Sequence, residues 1–203
     1  FRGPEFSKEK PESTIRIFIV GGSTINNSNE SIEFTTAGYL QKKINILNLD
    51  YNVEVINAGL GSAWSKTETK MIKEKLFDLQ PDIIFVYDGW NDLGEHFDGV
   101  SNEKTWSKRW QETCEQANER GVKMIVTLQA LLGFGDRLLT DQEYKNYFIS
   151  QAPKFQQYYP LYIEQLNELS NHCTDTADLT QIFDNVHKPI IYDNGHSLRT
   201  GNE

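Results

Sequence analysis

Cysteine, methionine and proline are scarce in this chain, whose 203 residues include only 2 Cys, 2 Met and 6 Pro. Two cysteines are too few for a zinc cluster of the usual kind or for a dense disulfide framework. Cys114 and Cys173 are therefore either two buried thiols or one disulfide, and the sequence leaves both alternatives open. The compartment stays open as well: cytoplasmic, or extracytoplasmic if a leader or an anchor has been removed.

Basic side chains are in deficit, since 20 Lys and Arg stand against 29 Asp and Glu and give a net charge of −9. General nucleic-acid binding and attachment to an anionic membrane both need a basic surface, so this charge argues against both. No apolar run approaches about 18 residues, which excludes a transmembrane helix. Hydrophobic residues nevertheless make up 38% of the chain, which is enough for a core and excludes wholesale disorder.

The length of the chain suits one domain. Residues 1–6 read like a cloning remnant and are set aside from fold reasoning. We therefore expect a single domain over residues 7–203. No segment repeats at a fixed period, and none is low in complexity.

Four apolar segments rich in β-branched residues predict buried strands, at residues 15–20, 53–56, 82–87 and 122–128. Segments of helical periodicity separate them, at about residues 31–47, 65–77 and 106–120. Strands that alternate with helices form βαβ units with parallel strands and right-handed crossovers. The sequence therefore predicts an α/β fold with a central parallel sheet, in which functional residues gather at the carboxyl ends of the strands.

Two local signals indicate helix ends. Ser65 followed by Glu68 matches a capping box, with the serine as the cap of the second helical segment. Gly121 stands where a helix C-terminal glycine is expected.

The C-terminal third of the chain is less regular. Residues 140–172 look helical, but Pro153 and Pro160 are expected to interrupt the helix, and residues 178–183 are expected to add one helical turn. An aromatic set in this region forms either an ordinary buried helix face or a lid over the active-site cleft: Phe148, Phe155, Tyr158, Tyr159 and Tyr162.

Small and polar residues follow the predicted strands. Gly21–Thr24 follows the first strand, Asn57–Ser62 the second and Asp88–Asp92 the third, and Asp193–His196 lies near the C-terminus. These segments supply a serine beside glycines, glycine-containing turns, an Asn-Asp turn and an acid three residues before a histidine. Such residues are the parts of a nucleophilic hydrolase.

The chemistry suggests a role for each part. Ser23 would be the nucleophile and His196 the base, because an imidazole with an unperturbed pKa near 6.5 is available in neutral form at neutral pH. Asp193 would orient the imidazole and stabilise its charged form. The oxyanion would be bound by the backbone N–H of Ser23, a backbone N–H in the turn 59–62 and the side-chain amide of Asn91.

In order and spacing, these segments resemble the SGNH/GDSL hydrolases over residues 15–203. Gly21-Gly22-Ser23-Thr24 stands at the first block of that family, and Asn57-Ala58-Gly59 resembles the start of the second. Gly89-Trp90-Asn91-Asp92 is similar to the third block, and Asp193-Asn194-Gly195-His196 to the last. The resemblance implies a flavodoxin-like three-layer α/β/α sandwich, hydrolysis of a carboxylic ester through a serine acyl-enzyme, and no metal or organic cofactor.

By position, the resemblance makes Ser23 the nucleophile, His196 the base and Asp193 its orienting acid. Asn91 and a glycine of the second block become oxyanion donors beside the N–H of Ser23. The expected partner is a small-molecule, glycan or lipid ester, and the oligomeric state stays unassigned.

The chain departs from the family pattern at several positions. Gly22 replaces the usual Asp of the first block. The usual position of the oxyanion glycine is Ser62, so we expect the neighbouring Gly61 to serve, with Ser62 as the alternative. Trp90 is bulky for its position and would either narrow the pocket or stack on a substrate. The helix that usually follows the last block is expected to be missing after Glu203.

Other polar and aromatic residues have simpler interpretations. His96, His172 and His187 are expected to be surface or structural residues, and Trp106 and Trp110 to pack on one helix face. Asp92 is expected to hold its loop, whereas Asp88 would either line the cleft or cap the loop.

The sequence leaves two alternative functions open and disfavours a third. An O-acyltransferase would use the same residues with an acceptor alcohol in place of water, and a non-catalytic binding module would keep only the fold. A flavin- or nucleotide-binding domain is disfavoured, because Gly21–Thr24 lacks both the P-loop lysine and the three-glycine dinucleotide motif.

Overall fold

A computed structural model describes residues 1–3, 5–94, 102–149 and 152–203. Within these residues one parallel sheet has the strand order β2-β1-β3-β4-β5. The strands are β1 Thr14–Gly21, β2 Asn52–Gly59, β3 Ile83–Asp88, β4 Lys123–Leu128 and β5 Asp175–Asp178. This order is that of flavodoxin-like doubly wound sheets, so the predicted fold class is confirmed.

Helices cover both faces of the sheet. They are α1 Ser23–Asn26, α2 Thr36–Ile46, α3 Ser65–Met71, α4 Trp90–Gly94, α5 Glu103–Glu119, α6 Asp141–Ile149, α7 Ala152–Leu169 and α8 Arg199–Asn202. A 3₁₀ turn Ile32–Phe34 precedes α2, and α3 continues into a π-helical turn Ile72–Leu76 and a 3₁₀ turn Phe77–Leu79. No helix of the described residues is long and apolar enough to cross a membrane.

The core lies mainly between the sheet and α3, α5 and α7. Large buried side chains on this face include Phe18, Ile72, Leu76, Ile84, Leu93, Trp106, Trp110, Tyr159 and Tyr162. On the other face, Ile19 and Val55 pack against Ala37 of α2. Because both faces are covered, the central strands are continuous apolar runs, which is why the sequence revealed them.

The edge strand β5 is a correction to the sequence analysis, which expected only a helical turn at residues 178–183. Residues 175–178 instead pair in parallel with β4, from Ile125 against Asp175 to Leu128 against Asp178. A non-helical turn follows, in which the N–H of Ile182 bonds the carbonyl of Leu179. The strand is short and polar, so no hydrophobic pattern reports it.

Two helix starts also differ from the sequence analysis. The segment predicted from residue 31 becomes α-helical only at Thr36, because Thr35 is extended and its hydroxyl accepts the N–H of Gly38 as an N-cap. The predicted capping box is wrong. Trp64 is the N-cap of α3, and the Ser65 N–H is bound by Asp92, 2.8 Å away.

The other predicted helix ends have mixed outcomes. Gly121 adopts φ +71° directly after α5, as a helix C-terminal glycine does. Pro160 lies inside α7 and does not end it. Pro153 lies in the first turn of α7, where its missing N–H would have no helical partner.

Cys114 and Cys173 form a disulfide, which settles the alternative that the sequence left open. The bond joins the middle of α5 to the turn after α7, 59 residues further along the chain. Both cysteines are buried against the core beneath β4.

The first residues contact the domain. The N–H of Arg2 bonds the carbonyl of Asn57 on the edge strand β2, and its guanidinium binds the carbonyls of Asn26, Asn27 and Glu30. Phe6 packs edge-on against Phe18 of the core. The interpretation of residues 1–6 as a cloning remnant stays a prediction.

Candidate active site

Ser23, Asp193 and His196 meet at the carboxyl edge of the sheet. Ser23 is the first residue of α1, which starts directly after β1, and Asn91 follows β3. The strand order reverses between β1 and β3, and ligands of doubly wound sheets bind at such a point.

The side chains of these three residues form one hydrogen-bonded line. The Oγ of Ser23 lies 2.7 Å from Nε2 of His196, although the two residues are 173 positions apart. The Nδ1 of His196 lies 2.6 Å from Oδ2 of Asp193. The arrangement can carry a proton from the hydroxyl to the imidazole while the carboxylate fixes the ring.

Asp193 is held in its ionised form. Partial burial acts to raise its pKa, but hydrogen bonds from the His196 ring and from the backbone N–H groups of His196 and Gly195 outweigh burial and lower the pKa. The same N–H groups fix the turn 193–196. A charged carboxylate beside Nδ1 favours the tautomer whose Nε2 is free to accept the serine proton.

Two aromatic rings contact the imidazole of His196. Trp90 meets it edge-on with 4.8 Å between ring centroids, and Tyr192 lies nearly parallel at 5.6 Å with 11° between planes. Gly195 lets the indole approach, because a Cβ at Gly195 would lie 2.5 Å from a carbon of the Trp90 ring. Trp90 therefore packs against His196, and its two expected roles, narrowing the pocket or stacking on a substrate, stay predictions.

The second motif, which begins at Asn57, holds the helix that carries Ser23. Asn57 is fully buried; its amide donates to the carbonyl of Ile25 at 2.7 Å, and its Oδ1 accepts the N–H of Gly59 at 2.9 Å. Gly59 lies so close to Asn26 that a Cβ would sit 2.2 Å from the Asn26 nitrogen. These contacts seat α1, and with it Ser23, against the end of β2.

Asn91 points toward the nucleophile loop but is engaged with protein. Its Nδ2 donates to the carbonyl of Ala63 at 2.5 Å. A Cβ at Gly22 would lie 2.7 Å from the same Nδ2. Glycine in place of the usual Asp of the first motif therefore leaves the space that the Asn91 amide fills, and the second hydrogen of that amide stays available for another acceptor.

The turn after β2 distinguishes Gly61 from Ser62. Ser62 adopts φ +60°, the left-handed region in which glycine is the default residue. A Cβ at Gly61 would meet nothing within 4 Å. The glycine-like conformation therefore falls on Ser62, at the position where the family pattern has its glycine, and this favours the alternative donor over Gly61.

Behind the site lies a buried acidic group that the sequence did not predict, formed by Glu68, Asp88 and Asp92. Asp92 binds both the N–H and the hydroxyl of Ser65, as expected of a residue that holds its loop, and lies 3.6 Å from Arg109. Burial, then the charges of Asp88 and Asp92, raise the pKa of Glu68 well above its usual range.

Asp88 does not line the cleft. It is buried, and its Oδ2 accepts the indole N–H groups of both Trp106 and Trp110, at 3.0 and 3.2 Å. Burial raises the pKa of Asp88 to about 6, although these hydrogen bonds act to lower it. The two tryptophans are fully buried, as expected for residues on one packed helix face.

Of the two alternatives for the aromatic set, Tyr158, Tyr159 and Tyr162 follow the buried helix face, since their side chains lie in the core or pack against it. Tyr159 and Tyr162 are fully buried in the core, and the hydroxyl of Tyr159 donates to the carbonyl of Gln129. The side chains of Phe148 and Phe155 and all of His96 lie outside the described residues. His172 lies 3.0 Å from Glu115 at the surface, and His187 is exposed, so neither reaches the site.

A small polar cavity of about 60 Å³ opens beside the nucleophile. Ser23, Thr24, Tyr192 and His196 line it together with residues 27–29, whose side chains are Asn, Ser and Asn. Amide and hydroxyl groups make up much of the lining, so the cavity is small and polar.

Comparison with known proteins is informative only at the level of structure. Neither protein-family profiles nor curated protein sequences match the chain. Solved structures similar to this chain include an acetyl xylan esterase, AlAXEase, with a TM-score of 0.69, 16% identity and coverage of 93% of this chain and 94% of the esterase. TesA has a TM-score of 0.66, 14% identity and coverage of 92% and 91%.

A GDSL-like lipase from Bacteroides thetaiotaomicron has a TM-score of 0.59 at 15% identity, with 92% of this chain and 82% of the lipase covered. At such low identity these likenesses concern the fold. The resemblance read from the sequence is thereby confirmed at that level: this chain has the fold of the SGNH/GDSL hydrolases.

Proposed function

We propose that the protein is a serine esterase that hydrolyses a carboxylic ester through an acyl-enzyme on Ser23. The observation that carries the proposal is the continuous hydrogen-bonded line from the Ser23 hydroxyl through His196 to Asp193, with distances of 2.7 and 2.6 Å. The esterases and lipases among the structurally similar proteins support a reaction of this class.

In the first half of the reaction, Nε2 of His196 takes the hydroxyl proton as Ser23 Oγ attacks the ester carbonyl. The tetrahedral intermediate collapses, the C–O bond to the alcohol breaks, and His196 returns the proton to the leaving oxygen. Asp193 stabilises the imidazolium that exists between these steps.

In the second half, water attacks the acyl-enzyme while His196 again serves as base, and the carboxylic acid leaves as Ser23 regains its proton. The oxyanion is bound by the N–H of Ser23, by the second hydrogen of the Asn91 amide and by a backbone N–H at Gly61 or Ser62. The left-handed conformation of Ser62 favours its own N–H as that third donor.

The cavity suggests the kind of ester. Its volume of about 60 Å³ and its amide and hydroxyl lining favour a short acyl group on a hydroxyl-bearing alcohol over a long acyl chain. The acetyl xylan esterase among the similar structures acts on an ester of this type.

The test is hydrolysis of p-nitrophenyl esters of increasing chain length by the wild type and by Ser23→Ala. We expect kcat/KM for the acetate to exceed that for the octanoate by about 10-fold or more, and Ser23→Ala to lose at least about 10³-fold in kcat. Ser170→Ala, which removes a surface hydroxyl bonded to the carbonyl of Asn167, is the matched control.

A serine-directed phosphonate should label the wild type and the control, but not Ser23→Ala. Full hydrolytic activity in Ser23→Ala would overturn the proposal. So would failure of the wild type to react with both the esters and the phosphonate.

A further inference from the structure

The segment that carries Asp193 and His196 is a loop that backbone hydrogen bonds close between Ile190 and Leu198. The N–H of Leu198 donates to the carbonyl of Ile190 at 2.8 Å, and the N–H of Tyr192 to the carbonyl of His196 at 3.1 Å. The position of the imidazole therefore depends on where residues 190 and 191 are held.

Glu143 of α6 binds the backbone of Ile190 and Ile191, where this loop begins. It is fully buried, and its Oε1 accepts the backbone N–H groups of Ile190 and Ile191 at 3.1 and 3.3 Å. Its Oε2 accepts the N–H and the hydroxyl of Thr140 at 3.1 and 2.8 Å. Arg137 lies 2.6 Å from Oε1 and is itself almost fully buried.

The carboxylate is fixed in its charged form. Burial acts to raise the pKa of Glu143, but hydrogen bonds from Arg137, from the N–H of Ile190 and from Thr140 outweigh burial and lower the pKa to about 2. Charge-assisted hydrogen bonds of this kind are stronger and better oriented than neutral ones. They therefore hold Ile190 and Ile191, at the start of the loop, in a precise position.

Helix α6 also contacts the loop near its tip. Asn146, one turn after Glu143, donates from its side chain to the carbonyl of Tyr192 at 2.6 Å. From the other side, the N–H of Leu132 donates to the carbonyl of Asn194 at 2.9 Å. Two side chains on one face of α6 thus bind the loop at residues on both sides of Ile191.

We propose that Glu143 is a positioning residue for the reaction: through the N–H groups of Ile190 and Ile191, its carboxylate sets the place of the loop that brings His196 to Ser23. The inference rests on the proposed esterase function and deepens it. A carboxylate 53 positions before the base in the sequence is thereby assigned to the active site without touching substrate.

The inference is tested with Glu143→Gln, which keeps the shape but removes the charge. One face of the amide is a donor, so at least one of the N–H or hydroxyl donors around residue 143 loses its acceptor. We expect kcat for p-nitrophenyl acetate to fall by about 10- to 100-fold, because small misplacement of a reacting group costs rates of this size. KM should change by less than about 3-fold, and phosphonate labelling of Ser23 should slow in parallel with kcat.

The control is Glu54→Gln, which breaks another ion pair to a buried arginine. Glu54 lies 2.8 Å from the fully buried Arg16, in the amino-terminal halves of β2 and β1, away from the carboxyl edge. Glu54→Gln should lower the melting temperature but leave kcat and the labelling rate unchanged. Loss of stability and loss of positioning are thereby separated.

A second readout reports the state of the His196 imidazole directly. The proton on Nδ1 of His196, shared with Asp193, gives a low-field proton NMR resonance in the wild type, which should broaden or shift in Glu143→Gln and persist in Glu54→Gln. If Glu143→Gln does not fold, Arg137→Gln, which keeps the carboxylate but removes its cation, replaces it and should lose about 5-fold or more in kcat with KM retained.

Unchanged kcat, labelling rate and resonance in a folded Glu143→Gln, or an unchanged kcat in Arg137→Gln where that variant replaces it, would overturn the inference. Failure of the proposed function looks different, because the wild type itself would then neither hydrolyse the ester nor react with the phosphonate.

Discussion

The edge of the Trp90 indole meets the imidazole of His196 with 4.8 Å between ring centroids. The same indole covers the backbone of Gly195, where a Cβ could not fit. The first residue of α4 therefore supports the imidazole of His196, the proposed base. Aromatic pairs of this geometry contribute about 0.5–1.5 kcal/mol beyond the area they bury.

Trp90→Ala should therefore impair the base more than the binding of substrate. Removing the indole leaves His196 and Gly195 without their packing partner, and we expect kcat for a short ester to fall by about 10-fold. Trp90→Phe, which keeps an aromatic edge, should recover most of the loss. Steady-state kinetics of both variants test this; equal activity of Trp90→Ala and the wild type would contradict it.

Gly22→Ala should damage the site through Asn91. The new methyl group would lie 2.7 Å from Nδ2 of Asn91 and 3.2 Å from the carbonyl oxygen of Ala63, so the amide has to leave its hydrogen bond. We expect a loss of about 10²-fold in kcat, the size found when an oxyanion donor is removed.

Gly61→Ala is the comparison for Gly22→Ala, because its methyl group enters open space and the backbone N–H is retained. It should keep most of the activity. Activity in Gly22→Ala equal to that in Gly61→Ala would show that the tight contact with Asn91 has no consequence for the reaction.

Stability should depend on pH in two opposite ways. Glu143 has a pKa of about 2 in the folded protein, below the usual value of about 4.3, so the stability it provides is lost as the pH falls from about 4.5 toward 2. Asp88 has a pKa of about 6 when folded, so its ionisation costs stability as the pH rises from about 4 through 6. The unfolding free energy should be highest near pH 4 to 5.

Urea unfolding between about pH 3 and 8 measures this profile. Asp88→Asn removes the contribution of Asp88 to the decline above about pH 4, to which the raised pKa of Glu68 also contributes. The variant should lessen the decline between about pH 4 and 6 without changing the loss in acid. A variant and a wild type that lose equal stability over that interval would contradict the assignment to Asp88.

Reduction of the disulfide should lower stability without abolishing activity. Cys114 and Cys173 close a loop of 59 residues, for which chain entropy predicts about 4 kcal/mol. Cys173 is followed by Thr174, whose N–H binds Met124 at the amino end of β4, away from the carboxyl edge that holds Ser23. Urea midpoints with and without a reductant, beside ester hydrolysis in dilute urea-free buffer, test both parts.

The sequence predicted the central sheet because β1 to β4 are buried on both faces and show it as apolar runs. The polar edge strand at Asp175–Asp178 carries no such run, and only its hydrogen bonds to β4 define it. The prediction of a capping box at Ser65 was wrong for a related reason. Ser65 has the right local pattern, but Asp92, 27 positions later, binds its N–H and hydroxyl, and a local motif contains no information about that partner.

The candidate site shows the same division. The meeting of Ser23, Asp193 and His196 could be predicted, because a nucleophilic hydrolase combines those residue types and the segments resemble those of a known family. The role of Glu143 could not be predicted in this way. Its partners in the loop of His196 are backbone N–H groups 47 and 48 positions away, and a backbone N–H group leaves no trace in the sequence. The backbone conformation of Ser62 could not be predicted from its residue type either, because the left-handed region that it adopts is one that glycine usually occupies.

The hydroxyl of Ser23 and the imidazole of His196 meet although 173 positions separate them in the sequence, and strands β2 to β5 lie between them along the chain. The proposed hydrolysis therefore requires the segment of Asp193 and His196 to be docked on the sheet beside Ser23. The short acid-base segment also makes the domain suitable for splitting: a fragment ending near residue 186 and a synthetic peptide of the remaining residues should each be inert, and activity should return in proportion to their reassociation.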